Sequence, residues 1–253
     1  MDVGVDLQRA DGFTRQGTSE RPDGGSQSFH LRRTAMYAVD FELTGATPIL
    51  MHRDNVEASD LLSEWRSAPE NKNLSVAGDD RSPPWTWQTY LYEDGERLIL
   101  PSECLMRCLR SAGAQITMKG KKGKTFKEVS QSGMVVPTEN MEFLNDGHPV
   151  LMVDVNRLRG LPFKEQADGA RDLGFRLFVK RARIGQAKHV RVRARFDKWV
   201  VRGTMNVFVP EITMEVLDTM FVLAGRIGLL DWRPGCKSPG PWGMYTTTLK
   251  MRK

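Results

Sequence analysis

The chain is poor in cysteine, with three in 253 residues: Cys104, Cys108 and Cys236. An odd, low count builds no disulfide framework and fits a reducing compartment, so a cytoplasmic protein is expected. No apolar run approaches the roughly 20 residues of a membrane span, and no membrane partner is expected. The opening residues, MDVGVDLQRADGF, carry early acids and no apolar h-region, which argues against a secretory signal. The spacings GxGxxG and GxxxxGK are both absent, so no nucleotide cofactor is expected. Neither CxxC nor HxxxH occurs, and no metal is required. No serine or cysteine nucleophile motif stands out, so no catalytic residue is assigned.

Acids are missing from one long stretch. Between residues 176 and 202 there are ten Lys or Arg and a single acid, Asp197. That local excess of +9 exceeds the whole chain's +6, so the remainder is slightly acidic. A near-neutral body with one basic stripe suggests a polyanion partner. A second basic cluster, KGKKGKTFK, places Lys119, Lys121, Lys122, Lys124 and Lys127 within nine residues. It is too glycine-rich for a stable helix and reads as an exposed loop.

Residues 1–35 are polar and without period, which reads as a disordered tail and makes Met36 a candidate start. Tyr37, Val39, Phe41 and Leu43 then alternate with polar neighbours, the pattern of a half-buried strand. VEASDLLSEWR (56–66) forms a short amphipathic helix. Residues 98–100 are a short strand leading into a helix whose apolar positions are Leu105, Cys108, Leu109 and Ala112, with Ser102 as cap and Gly113 at its end. Strands are expected near 134–136, 150–155 and 175–179. In HVRVRARF (189–196), His189, Arg191, Arg193 and Arg195 share one face, and Val190, Val192, Ala194 and Phe196 the other. Asp197 and Lys198 mark a turn into a strand at 199–209. Thr213 caps a helix to Ile227, and residues 245–251 form a last strand. The order fits an α+β, ferredoxin-like arrangement: an antiparallel sheet with helices on one face, the other free to bind.

Three arginines at alternate strand positions stand about 7 Å apart on one face. Such a row is costly unless something neutralises it. A phosphate backbone would do so; a solvated edge strand is the plainer alternative. The segment IGLLDWRPGCKSPGPWGMY (227–245) is unusually rich in Gly and Pro. It is a plain loop, a nucleotide-phosphate site, or a wall that lets a polynucleotide backbone approach; the last is favoured. There Arg233 and Lys237 supply charge and Trp232 or Trp242 a stacking face. Cys104 and Cys108 are one helical turn apart, which fits core packing better than a metal pair. His52 with Asp54, and Asp79 with Asp80, are candidate catalytic or metal groups, for which structural roles are the simpler reading.

Three segments together carry a resemblance. LILPSECLMRCLRSAGA (98–114), RGTMNVFVPEITMEVLDTMFVLAGRIG (202–228) and GLLDWRPGCKSPGPWGMY (228–245) resemble, in order, the first strand–helix, the later strand–helix and the C-terminal glycine-rich loop of the repeat-associated mysterious protein (RAMP) superfamily. Pro101, Ser102, Leu105, Leu109 and Arg110 match, whereas Glu103, Cys104 and Cys108 depart from the pattern. Within the superfamily the chain looks most like backbone subunits of CRISPR effector complexes, and it is also similar to uncharacterised prophage and mobile-element proteins. The resemblance implies a modified RNA-recognition fold over 36–253, with inserted loops at about 67–97 and 117–200 and a basic thumb-like hairpin at 179–199. It implies RNA as partner, a guide strand with or without a target strand, and self-association into a filament or multi-subunit complex. The acids after the first strand do not align with the loop aspartate that some such subunits use to cut RNA.

The expected function is therefore non-catalytic RNA binding as a subunit of a guide-RNA ribonucleoprotein. Lys180, Arg181, Arg183, Lys188, His189, Arg191, Arg193 and Arg195 grip phosphates. Lys121, Lys122 and Lys124 form a flexible clamp, Arg107 and Arg110 reach the same groove, and Trp85 or Trp87 stacks on a base. The alternatives are a phage single-stranded DNA-binding or annealing protein, a metal-dependent endoribonuclease, and a structural phage component.

Overall fold

The computed structural model describes residues 36–184 and 186–252, so the expected tail at 1–35 lies outside the described residues. Strand β1 (Tyr37–Gly45) turns Val39, Phe41 and Leu43 inward, as its alternation predicts. It is the inner strand of an antiparallel sheet, paired with Trp199–Val207 on one side and Tyr245–Met251 on the other. In chain order the strands of this sheet are β1, β3 (Ile99–Pro101), β4 (Met134–Val135), β5 (Asn140–Asn145), β8 (Trp199–Val207) and β9 (Tyr245–Met251). Their spatial order is β3-β5-β8-β1-β9, with β4 also paired to β8. Gly203 on β8 has no side chain because the Phe41 ring lies over it.

Two helices cover the inner face. Helix α2 (Ser102–Gly113) buries Leu105, Cys108, Leu109 and Ala112, the positions its helical spacing predicts. Ser102 is its first helical residue rather than a cap, since Pro101 takes the cap position. Helix α6 (Met214–Ile227) starts at Thr213, whose hydroxyl accepts the Val216 N–H at 3.3 Å. It buries Leu217, Met220, Phe221 and Ala224, and Phe221 meets Phe41 with ring centroids 5.6 Å apart. The architecture is α+β with these helices on one face of an antiparallel sheet. The outer face is exposed and carries paired charges: Arg202 donates to Glu42 at 2.7 Å, Thr204 to Asp40 at 2.7 Å, and Arg252 pairs with Asp40 at 3.4 Å.

A second sheet, β2-β7-β6, is built from β2 (Ile49–Leu50), β6 (Arg176–Ile184) and β7 (Ala187–Phe196). The basic stretch is thus a real antiparallel hairpin. Asp197 and Lys198 carry the chain from β7 in this sheet to β8 in the other, so they join two layers. An aromatic chain fuses the cores: Phe143 to Phe196 at 5.1 Å, Phe196 to Phe175 at 5.0 Å, and Phe175 to Trp87 at 5.8 Å.

The middle of the chain departs from expectation. Residues 150–155 are not a strand: Met152–Arg157 is helix α4, with Met152 and Val155 buried one turn apart. Helices α3 (Lys127–Ser132) and α5 (Phe163–Asp172) also lie there, the latter burying Gln166 and Ala170. The stretch 117–200 contributes β4, β5 and the start of β8 to the main sheet and β6 and β7 to a second one. Helix α1 (Val56–Ser67) is where its pattern placed it, capped by the Asn55 carboxamide. Among the described residues no helix is long and apolar enough to cross a membrane.

Candidate nucleic-acid interface

The arginine stripe is docked against the protein. Arg191, Arg193 and Arg195 share one face of β7, as the alternation predicts, but that face meets carboxylates. Arg191 Nη1 donates to Asp80 Oδ1 at 2.7 Å. Arg193 Nη1 donates to Asp80 Oδ2 at 3.0 Å, and its Nε donates to Asp231 Oδ2 at 2.9 Å. Arg195 Nε donates to Asp197 Oδ1 at 2.7 Å, and Arg176 pairs with the same carboxylate. Asp80 also accepts the Val192 N–H at 3.1 Å, and both Asp80 and Arg193 are buried, at 3% and 4% exposure. The expectation of an open row of guanidinium groups is corrected here: three carboxylates neutralise the row from within.

Aromatic rings complete the layer. Phe178, paired with Arg193 across the hairpin, meets Trp242 at 4.9 Å and Trp232 at 6.1 Å. Arg193 lies 4.5 Å from the Tyr90 ring, Lys180 4.7 Å from Trp232 and Arg195 5.2 Å from Trp242. The two tryptophans proposed as stacking faces for bases are thus stacked by the protein's own cations. Trp87 is fully buried, its Nε1–H donating to Gln166 at 2.6 Å, and Trp85 has Arg159 over its ring at 4.8 Å. His189 packs on Gly78, whose carbonyl accepts the Val190 N–H. On the hairpin, Lys180, Arg181 and Lys188 remain exposed, and Arg183, also exposed, donates to Gln186 at 2.7 Å.

The glycines of 227–245 serve the chain itself. A Cβ on Gly243 (φ +70°) would overlap the Leu229 carbonyl oxygen, and one on Gly240 would overlap that of Trp232. Leu230 and Trp232 have φ of 61° and 47°, a costly conformation for bulky residues. Between them the turn holds Asp231, which receives Arg193 and stands 3.5 Å from His52 Nδ1. His52 therefore pairs with Asp231 rather than Asp54, a relation that a separation of 179 positions conceals.

One cleft opens at this turn, with a volume of about 290 Å³. Its walls come from the start of α2, the end of α6 and the Gly/Pro segment, and include His52, Tyr92, Glu103, Arg107, Asp231 and Arg233. Arg233 Nη1 donates to the Leu230 carbonyl at 2.8 Å, which leaves most of its guanidinium N–H groups for the cleft. Burial pushes the His52 pKa down, Arg193 pushes the same way, and Asp231 opposes them, with a net lowering. The imidazole is accordingly neutral at neutral pH. Nδ1 faces Asp231 at 3.5 Å, and a proton held there leaves Nε2 as an acceptor. Two guanidinium groups beside a neutral imidazole suit a phosphate group.

The other candidates separate from this cleft. Cys104 and Cys108 line its floor, but burial raises their thiols to about 11 and about 12, and Cys108 Sγ–H donates to the Ala224 carbonyl. Packing is their role. Asp79 is held below the usual carboxylate range by Arg81, and Asp80 by geometry belongs to the arginines. Among the described residues no cluster of His, Cys, Asp or Glu is arranged to hold a metal. Arg110 is exposed on α2 outside the cleft, and Lys237 is exposed on the Gly/Pro segment. The lysine loop lies at the far end of α2, where Lys121 pairs with Glu211 at 3.7 Å. It is less a flexible tether than two successive turns, closed by Lys121 N–H to Met118 O and Lys124 N–H to Lys121 O, with Gly120 and Gly123 both at φ +73°.

Comparison of the chain with protein-family models and with curated proteins found no match.

Proposed function

We propose that this is a non-catalytic, RAMP-like RNA-binding protein that holds the sugar–phosphate backbone, as a repeated subunit of a guide-RNA complex. The reading rests above all on one observation. Arg107 and Arg233, distant in sequence, open onto one cleft beside a neutral His52. The exposed hairpin cations Lys180, Arg181 and Lys188 add charge. The strand order supports the finer fold as well: β9-β1-β8-β5, with α2 and α6 as crossovers, is the order of a ferredoxin-like sheet. Single-stranded DNA offers the same phosphates but no 2′-hydroxyl. The test compares retention of matched RNA and DNA oligomers by the native protein and by Arg107→Ala/Arg233→Ala. RNA preference that the double variant loses is expected; equal retention by both proteins overturns the reading. Sequencing nucleic acid that co-purifies from the host tests the guide: a defined small RNA supports it, and random fragments count against it.

RNA cleavage is a second reading, favoured by the neutral His52 near Asp231 with arginines across the cleft. Labelled RNA incubated with EDTA, and separately with Mg²⁺, distinguishes the two. Products that vanish in His52→Gln would establish cleavage, and intact RNA in both conditions would remove it.

A further inference from the structure

The outer face of α2 links two basic features at its ends. Arg107 lies at its middle, in the cleft with Arg233, and the cleft reaches back to Glu103 in the first turn. Arg110 follows one turn on and is exposed. Beyond the C-terminus, Lys121, Lys124 and Lys127 converge with Thr125 on a second concavity of about 320 Å³, while Lys119 and Lys122 stand exposed on the same turns. The acids near this line are Glu103 and Asp231 at the cleft end, Asp231 engaging Arg193, and Glu128 and Glu211 at the loop end, Glu211 engaging Lys121. The sheet's outer face and the arginine stripe both have their charges met internally. In the helical layer Lys121 pairs with Glu211, whereas among the described residues Arg107, Arg110, Lys119, Lys122, Lys124 and Lys127 form no ion pair.

We propose that a single-stranded nucleic acid runs along the outer face of α2, from the Arg107–Arg233 cleft over Arg110 to the lysine turns at 118–124, which form a second phosphate site. The inference rests on the nucleic-acid reading above and adds a direction and a footprint to it. The cleft begins at Glu103 in the first turn and the lysine turns lie beyond Gly113, so the two sites flank a track the length of α2, about 18 Å for its 12 residues. At about 3.4 Å per stacked nucleotide, roughly five nucleotides bridge them. A strand shorter than that reaches one site; a longer one holds both and gains by effective concentration.

The test is affinity against oligomer length for the full chain, measured with oligouridylates of about three to twelve nucleotides at fixed salt. The native protein is expected to show a step in affinity above about five nucleotides, of tenfold or more. Lys119→Glu/Lys122→Glu/Lys124→Glu, which spares Lys121 and both glycines, should bind trimers as the native chain does and lose the step. Arg110→Glu should reduce the step without moving a thermal midpoint, which guards against a folding artefact. A smooth rise in affinity with length, or a loop variant that keeps the step, overturns the track while leaving RNA binding intact. Loss of self-association in the loop variant, with oligomer binding unchanged, would mean that the loop docks a second copy, and would overturn it too. Failure of the native chain to retain any oligomer would remove both the track and the reading beneath it.

Discussion

Arg193 shows how far a charged residue's role depends on partners that lie far from it in the chain. It is almost fully buried, donates to Asp80 and Asp231, and covers the Tyr90 ring. Breaking a buried pair costs about 3–5 kcal/mol, because the partner is left charged and unpaired. Arg193→Glu sets a third carboxylate against two others, so a loss at or above that range is expected in urea unfolding. Lys188→Glu on the exposed hairpin should stay within about 0.5 kcal/mol. Equal midpoints for the two variants would contradict the buried network. His52 adds a pH dependence. Its folded-state pKa lies below the unfolded value of about 6.5, so unfolding takes up a proton between the two values. The contribution is therefore complete above about pH 6.5 and lost as pH falls toward the folded value. Asp79 and Asp197 act lower. Arg81 outweighs burial at Asp79, and at Asp197 burial is outweighed by Arg176 and Arg195, so both lie below the usual range. Their stabilisation is present above about pH 3.9 and is lost in more acid solution. Urea midpoints of His52→Gln should be flatter with pH between about 6.5 and 5 than those of the native chain; parallel curves would exclude this role.

At the scale of elements, the parts with clear periodicity were legible and the parts with displaced partners were not. β1, α2, α6 and β9 follow from alternation, helical spacing and the Thr213 cap. Helix α4 was hidden because Val150, Met152, Val153 and Val155 satisfy a strand pattern as well as a helical one, and burial of Met152 with Val155 decides for the helix. The hairpin was legible as strands, but its exposure was not. Asp80 and Asp231, which neutralise it, lie 111 and 38 residues from their arginines. The available signal was the missing acid itself, since ten cations against Asp197 require carboxylates from elsewhere or a ligand. Trp242, stacked on Phe178 and Arg195, is one of the rings docking the hairpin. Trp242→Ala should cost about 2–3 kcal/mol, below the range for a fully buried Trp because the ring is partly exposed. The loss should be local. Trypsin cleavage at Lys180, Arg181 and Lys188 should accelerate more than cleavage elsewhere; uniform acceleration would show that the hairpin has no separate docking step.

Across the whole molecule, charge is sorted into a part spent on folding and a part left on the surface, and the two should respond differently to a polyanion. A ligand that binds only the folded state stabilises it by about 2.7 kcal/mol at a hundredfold excess over its Kd, a rise of several degrees in Tm for a chain of this length. Asp80→Asn weakens the hold on Arg191 and Arg193 without touching the cleft, so the variant should melt lower yet gain the native increment when an RNA oligomer is added. Arg107→Ala/Arg233→Ala removes the exposed Arg107 and the half-buried Arg233 with its one hydrogen bond to the Leu230 carbonyl, so it should melt slightly below the native temperature and gain little. Thermal melting of the three proteins with and without the oligomer measures both quantities at once. The opposite pattern, with the increment lost in Asp80→Asn and kept in the double variant, would return the binding surface to the arginine stripe. It would then require RNA to displace Asp80 and Asp231 from guanidinium groups that they already neutralise, at a cost in buried charge that Arg107 and Arg233, which form no ion pair among the described residues, do not incur.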